Sequence, residues 1–130
     1  MKRLLIVLMM ASTSAYSADH TVPPQGVVVT TSKATLCVSG YSKTVRPSVS
    51  YTNKLKKEWT PSFHKPSEYE LDHYVPISVG GSPTDPNNLW LQKWDDARKK
   101  DVQEKMLHDD MCKGIYTPEQ VQATLMKWGK

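Results

Sequence analysis

The chain has 130 residues and a formal net charge of +4, which removal of Lys2 and Arg3 would lower by two. A chain of this length fits one domain with a modest hydrophobic core. Its two cysteines are too few for a Cys-rich zinc site, and its mild basic charge alone says little about partners.

Residues 1–18 are typical of a secretory signal peptide. Lys2 and Arg3 precede an apolar run from Leu4 to Met10, and mostly small residues follow up to a predicted cleavage site after Ala18. The run is shorter than the roughly 20 residues that a membrane span needs, so a membrane anchor is the less favoured alternative. We therefore expect an exported protein, periplasmic or secreted, with no membrane partner.

Residues 19–33 predict an extended lead-in, because they contain Pro23-Pro24 and no helical period; Val27–Val29 suits a short strand. We place the folded domain at residues 34–130. Its first part, residues 34–59, mixes basic and aromatic side chains, a pattern that suits a phosphate backbone but also occurs on an ordinary solvated surface. Within it, residues 50–57 suit a short helix.

Two strands and a helix are predicted next. Residues 69–79 alternate like a strand until Pro76 limits pairing, residues 80–87 form a glycine-containing loop, and residues 88–92 form a second short strand. Residues 93–112 lack Pro and Gly and predict a helix with a loose apolar stripe. A further helix opens at the capping box of Thr117 and runs to Trp128. The expected fold is a small α+β domain built on a ββα unit.

The two cysteines, Cys37 and Cys112, predict one disulfide in an exported protein. Closing so long a loop contributes about 4 kcal/mol in the chain-entropy description. Two separate buried thiols are the alternative.

A phosphodiesterase centre needs a base, a divalent cation and a group that orients the base. The Asp72–His73 pair offers a base and a cation ligand. Histidine has an ordinary pKa near 6.5, which suits His73 as the base, and the Asp72 carboxylate suits hard cations. Neighbouring strand residues point to opposite faces, so we expect the chain to leave regular strand geometry near Pro76 and bring both side chains to one site.

The stretch ELDHYVPISVGG, followed by NNLWL and a helix, resembles the HNH endonucleases, also called ββα-metal or His-Me finger nucleases. The segments around it are similar to the small exported proteins of that family. These segments are Cys-x-x-Gly-Tyr and Val-Arg-Pro before the motif, and Lys-Asp-x-x-Glu, Cys-x-Gly and a near-terminal Trp after it.

The resemblance implies roles for individual residues. His73 becomes the general base, Asp72 a metal ligand, and Asn88 the residue that braces the loop and helps orient the base. The third motif position, usually His or Asn on the helix, is not met here. By spacing, Asp96 is the best substitute, with Asp95 and Asp101 as alternatives. One divalent ion is implied, Mg²⁺ in the first place, with Mn²⁺ or another divalent ion as alternatives.

The predicted function is metal-dependent hydrolysis of DNA with low sequence specificity by a monomeric endonuclease. Seven basic residues are candidates for phosphate contacts: Arg46, Lys54, Lys56, Lys57, Arg98, Lys99 and Lys100. One alternative is a non-catalytic nucleic-acid-binding module on the same fold. Another is a cell-wall hydrolase using Asp72 and Glu70, but that alternative leaves His73 and Asn88 without a role.

A second metal site on the helix is a weaker possibility. Asp101, Glu104 and His108 recur on one predicted helix face. A solvated face with Lys100–Glu104 and Glu104–His108 pairs is the favoured interpretation of the same pattern.

Overall fold

A computed structural model describes residues 18–130, so the predicted signal peptide lies almost entirely outside the described residues. Five helices and a two-stranded antiparallel sheet make up this part of the chain, which confirms the α+β class. In chain order the elements are α1 (Lys33–Leu36), α2 (Tyr41–Val45), α3 (Val49–Trp59), β1 (Tyr69–His73), β2 (Leu89–Lys93), α4 (Trp94–Cys112) and α5 (Pro118–Leu125).

The two strands form a hairpin whose register places Asp72 opposite Trp90 and His73 opposite Leu89. β1 ends at His73, earlier than the alternation predicts, because the chain turns into a short 3-10 helix at Ile77–Val79 after Pro76. The connection therefore runs over residues 74–88 and is longer than the predicted eight-residue loop. It ends in a second 3-10 helix at Pro86–Asn88.

Gly80 and Gly81 are both required by the path of this connection. Gly80 has φ 104°, a left-handed conformation that side chains disfavour. A Cβ atom on Gly81 would lie 1.7 Å from the Val75 carbonyl oxygen, which is far inside contact distance. The loop can fold tightly over its own first turn only because neither residue has a side chain.

The lead-in segment lies along this loop and is hydrogen-bonded to it. Val28 forms an isolated bridge with Gly81, and the backbone of Ser82 donates to the Val27 carbonyl oxygen over 2.8 Å. Further along, the Val29 backbone donates to the Gly80 carbonyl oxygen over the same distance. The segment is extended, and it acts as a short partner strand for the loop.

The helix predicted at 93–112 is present as α4, but only part of its predicted apolar stripe is buried. Trp94, Val102 and Met106 are 40%, 61% and 55% exposed. The side chains that α4 buries are Ala97, Lys100 and Met111. A lysine occupies the middle of the buried face because carboxylates from the hairpin and from α4 itself surround it, as described below.

The predicted disulfide joins Cys37 to Cys112, with their Cα atoms 5.7 Å apart. It links the end of α1 to the end of α4 beside the main core cluster, whose buried members are Leu36, Val75, Val79, Met111, Val121 and Leu125. No helix within residues 18–130 has the length and apolar character that crossing a bilayer requires.

Candidate active site

His73 is the last residue of β1 and is 9% exposed. Its Nε2 lies 2.8 Å from the carbonyl oxygen of Pro83. A carbonyl oxygen can only accept, so Nε2 carries the proton and Nδ1 keeps the lone pair. Burial lowers the pKa of His73, although the Pro83 carbonyl and Asp72 act in the opposite direction. The ring is therefore held neutral, in a defined tautomer, as a proton acceptor requires.

Asn88 holds the loop that carries the Pro83 carbonyl. Its side chain is fully buried and makes four hydrogen bonds. Nδ2 donates to the carbonyl oxygens of Val75 and Ser82, each over 2.9 Å. Oδ1 accepts from the backbone of Val75 and Val27, at 2.9 and 3.2 Å. Because Ser82 immediately precedes Pro83, Asn88 fixes the carbonyl group that orients His73.

Asp72 and Lys100 form a buried ion pair next to this histidine. Lys100 Nζ lies 2.8 Å from Asp72 Oδ2 and 2.6 Å from Glu104 Oε1, and the lysine side chain is 0% exposed. The same ammonium donates to the His73 carbonyl oxygen over 2.9 Å. Trp90 Nε1 also donates to Asp72 Oδ2, over 3.1 Å. Burial alone would lower the pKa of Lys100, but Asp72 and Glu104 raise it above its ordinary value, so the ammonium stays charged.

Asp72 and His73 line one cleft of about 240 Å³, together with Arg46 and a group of further carboxylates. These are Glu70, Asp101 and Glu104. Burial and the neighbouring carboxylates raise the pKa of Glu70 to about 7, and its Oε2 is buried without a hydrogen-bond partner among the described residues. The cleft is thus strongly acidic on one side, with Lys100 as its buried cation.

Arg46 is the arginine that lines this cleft. It also lines an adjoining cleft of about 190 Å³, which shares Glu70 and His73 with the first and extends along α3 to Lys56. Arg46 is exposed, so its guanidinium is accessible to a phosphate that enters beside His73.

The two predicted metal ligands do not line one site. Asp72 faces the His73 cleft, whereas Asp96 lines a different cleft of about 750 Å³ with Trp90 and Trp128. Asp96 Oδ1 lies 3.9 Å from Lys99 Nζ, and the Asp96 side chain is 62% exposed. Within residues 18–130, no group of three or more His, Cys, Asp or Glu side chains is arranged to hold a metal ion. The predicted ligand pair therefore does not fit a divalent ion, because Asp72 already binds the Lys100 ammonium.

The predicted phosphate-binding residues occupy different surroundings. Lys54, Lys57, Arg98 and Lys99 are exposed, and Lys56 Nζ lies 5.4 Å from the centre of the Trp94 ring. Arg98 and Lys99 form surface ion pairs with Asp95 and Asp96. Lys100 differs from the rest: it is fully buried against two carboxylates, so a nucleic-acid backbone at the surface does not reach it.

The solvated face expected for α4 is also partly incorrect. The Lys100–Glu104 pair is present, but it is buried on the lysine side. His108 does not pair with Glu104; its Nε2 lies 3.0 Å from the Leu36 carbonyl oxygen instead. His108 therefore connects α4 to α1 near the disulfide and does not contribute to a second metal site.

Sequence reasoning missed two site groups, the Trp90 indole and the Pro83 carbonyl, and it assigned Lys100 to the surface although its ammonium is buried against Asp72 and Glu104. The strand register would have indicated Trp90, because it directly opposes Asp72. No sequence pattern identifies the Pro83 carbonyl, which depends on the path of the loop.

No family model, curated protein or solved structure matches this chain.

Proposed function

We propose that this protein is an exported endonuclease of the HNH type that hydrolyses phosphodiester bonds of DNA with His73 as its general base. The observation that carries the proposal is the His73–Pro83 hydrogen bond, braced by Asn88, beside a cleft that Arg46 lines. A buried neutral histidine with one ring nitrogen fixed by a carbonyl is the arrangement that proton abstraction from water needs.

In this proposal His73 takes a proton from the attacking water through Nδ1, while Nε2 stays bonded to Pro83. Arg46, which lines the same cleft as His73, binds a non-bridging oxygen of the scissile phosphate. The exposed lysines of α3 extend this basic surface and contact the backbone without reading bases, which is why we expect low sequence specificity.

The family resemblance implies dependence on one divalent ion, Mg²⁺ in the first place, whereas the contacts of Asp72 favour nicking that needs no ion at this carboxylate. Since Asp72 and Asp96 do not face one site, we derive no catalytic step through a metal ion. The disulfide supports export, because such bonds persist in oxidising compartments.

The test is plasmid nicking by the purified, oxidised chain from Asp19 to Lys130. We expect His73→Ala to lower the nicking rate by about 100-fold or more, as removal of a general base does. His64→Ala is the matched control, because His64 is a surface residue paired with Glu68, and it should leave the rate unchanged. Parallel reactions with Mg²⁺, with Mn²⁺ and with a chelator measure the metal requirement.

The second candidate is a binding module without catalysis. It is favoured by Asp72, whose Oδ2 is already engaged by Lys100 and Trp90 and so serves a structural purpose. This function predicts DNA binding that depends on Arg46, together with intact plasmid under every condition. Such a result from folded protein would replace the nuclease proposal.

A further inference from the structure

The environment of Lys100 resembles a cation site that is already filled. Three oxygen atoms surround its Nζ: Asp72 Oδ2 at 2.8 Å, Glu104 Oε1 at 2.6 Å and the His73 carbonyl oxygen at 2.9 Å. Hard divalent ions choose the same kind of ligands, carboxylate and carbonyl oxygens, at roughly 2.0–2.6 Å. The ammonium thus lies where an ion bound by Asp72 would lie.

Lys100 enters this position from the helix, the element that carries the last metal ligand in the resemblance drawn above. Its side chain is 0% exposed, and the Asp72 side chain is 11% exposed. An ion cannot displace the ammonium without leaving a charged lysine buried and unpaired, which is strongly unfavourable.

We propose that Lys100 is a built-in cation which takes the place of a divalent ion at Asp72 and positions His73 through its backbone carbonyl. The effect of Lys100 on catalysis rests on the proposed nuclease function. The contact between Lys100 and Asp72 does not depend on that function. Lys100 acts through His73 and Asp72 and is a positioning residue.

The first measurement is binding of Mn²⁺ alone, followed by its electron paramagnetic resonance signal, and it needs no enzymatic activity. The wild-type protein and Asp72→Asn should bind Mn²⁺ with the same weak affinity. Lys100→Met leaves Asp72 and Glu104 facing each other and should bind Mn²⁺ at least about 10-fold more tightly, because two carboxylates then become available as ligands. Adding Asp72→Asn to Lys100→Met should abolish this gain.

Lys99→Met is the matched control, since Lys99 is the preceding residue and its side chain is 73% exposed. It should leave Mn²⁺ affinity at the wild-type level. A second readout is nicking: Lys100→Met should lose activity and regain it with Mn²⁺, whereas Lys100→Met with Asp72→Asn should not. A purely structural lysine would give no such rescue.

Two results would overturn the inference. One is tight Mn²⁺ binding by the wild-type protein that Asp72→Asn removes, and this comparison remains decisive if Lys100→Met does not fold. The other is a folded Lys100→Met protein that binds Mn²⁺ no more tightly than wild type. Absence of nicking in the wild type would instead reject the proposed function, while Mn²⁺ binding would still decide the occupancy of Asp72.

Discussion

The two sides of α4 use the same kinds of residues in opposite ways. On the exposed side, Lys99 lies 3.9 Å from Asp96, and both side chains are more than half exposed. On the buried side, Lys100 lies 2.8 Å from Asp72, and the lysine is completely covered. Water screens the first pair, which contributes little. The second pair is excluded from water, so removal of one partner leaves an uncompensated charge.

Residues of the same type that are close in the sequence therefore contribute differently to stability, depending on whether they are buried. The chain offers two further comparisons of this kind: Asn87 with Asn88, and Glu68 with Glu70. In each of these pairs one member lies at the surface, whereas Asn88 braces the loop beside His73 and Glu70 lines the His73 cleft. Each pair gives a matched experiment.

The largest effect is expected from Lys100→Met. It leaves Asp72 and Glu104 buried without their cation, so the free energy of unfolding should fall by about 4 kcal/mol at pH 7. Lys99→Met should change it by no more than about 0.5 kcal/mol. Urea denaturation followed by circular dichroism measures both. Equal effects of the two substitutions would contradict the distinction between the two sides of α4.

Asn88→Ala should follow, with a loss of about 3 kcal/mol, because it leaves backbone groups of Val75, Val27 and Ser82 without their partner. It should also lower nicking, since the Pro83 carbonyl is no longer held in place. Asn87→Ala is the control: Asn87 is exposed, and its contacts to Asp85 and Gly26 are made by its backbone. Thermal unfolding and nicking rates of the two variants provide the comparison. Retention of nicking by Asn88→Ala would show that the loop holds His73 without this brace.

The smallest effect concerns Glu70. Its pKa is raised from the ordinary 4.5 to about 7. Between these two pH values the folded state keeps a proton on Glu70 that the unfolded state has already released. Stability is therefore lost as pH rises from 4.5 to 7. After allowance for solvent screening, Glu70→Gln should be more stable than wild type by about 1 kcal/mol at pH 8 and equal to it at pH 4.5.

The measurement is urea denaturation of both proteins across this pH range. His73 contributes an opposing slope below pH 6.5, since its pKa is lowered, but it does so in both proteins and cancels in their difference. Glu68→Gln should show no such pH-dependent gain, because Glu68 is a surface carboxylate whose pKa is lowered by its hydrogen bond from the Lys65 backbone. A Glu70→Gln difference that does not vary with pH would contradict the raised pKa.

Much of the fold was predictable because its signals are local. The absence of Pro and Gly marks α4, the Thr117 capping box marks the start of α5, and two cysteines allow one intramolecular disulfide. The loop length and the burial of Lys100 were not predictable in this way. Both depend on contacts between segments far apart in the chain: the lead-in with Gly80 and Gly81, and β1 with α4. From the sequence alone a lysine is predicted to lie at the surface, because buried lysines need charged partners that the sequence does not identify.

For the site, the residue pair Asp72–His73 and the bracing residue Asn88 could be selected from the sequence, since their order and spacing resemble a known motif. What the sequence could not supply is the partner of each group. The placement of Asp96 illustrates this: spacing along the helix favours it as a ligand, but it lines a different cleft from that of Asp72.

The disulfide determines whether the chain stays in one covalent piece after a protease cuts it. Cys37 and Cys112 are separated by 75 positions, and the segment between them contains α2, α3, both strands and α4. Phe63 lies in this segment, is fully exposed and has φ 69°, so the chain near it is accessible to cleavage. One cut there separates α3 from β1 along the backbone, yet both pieces stay covalently joined through sulfur. The nicked molecule therefore keeps His73, Asn88, Lys100 and Arg46 in one covalent unit, and only a reducing gel reveals two fragments.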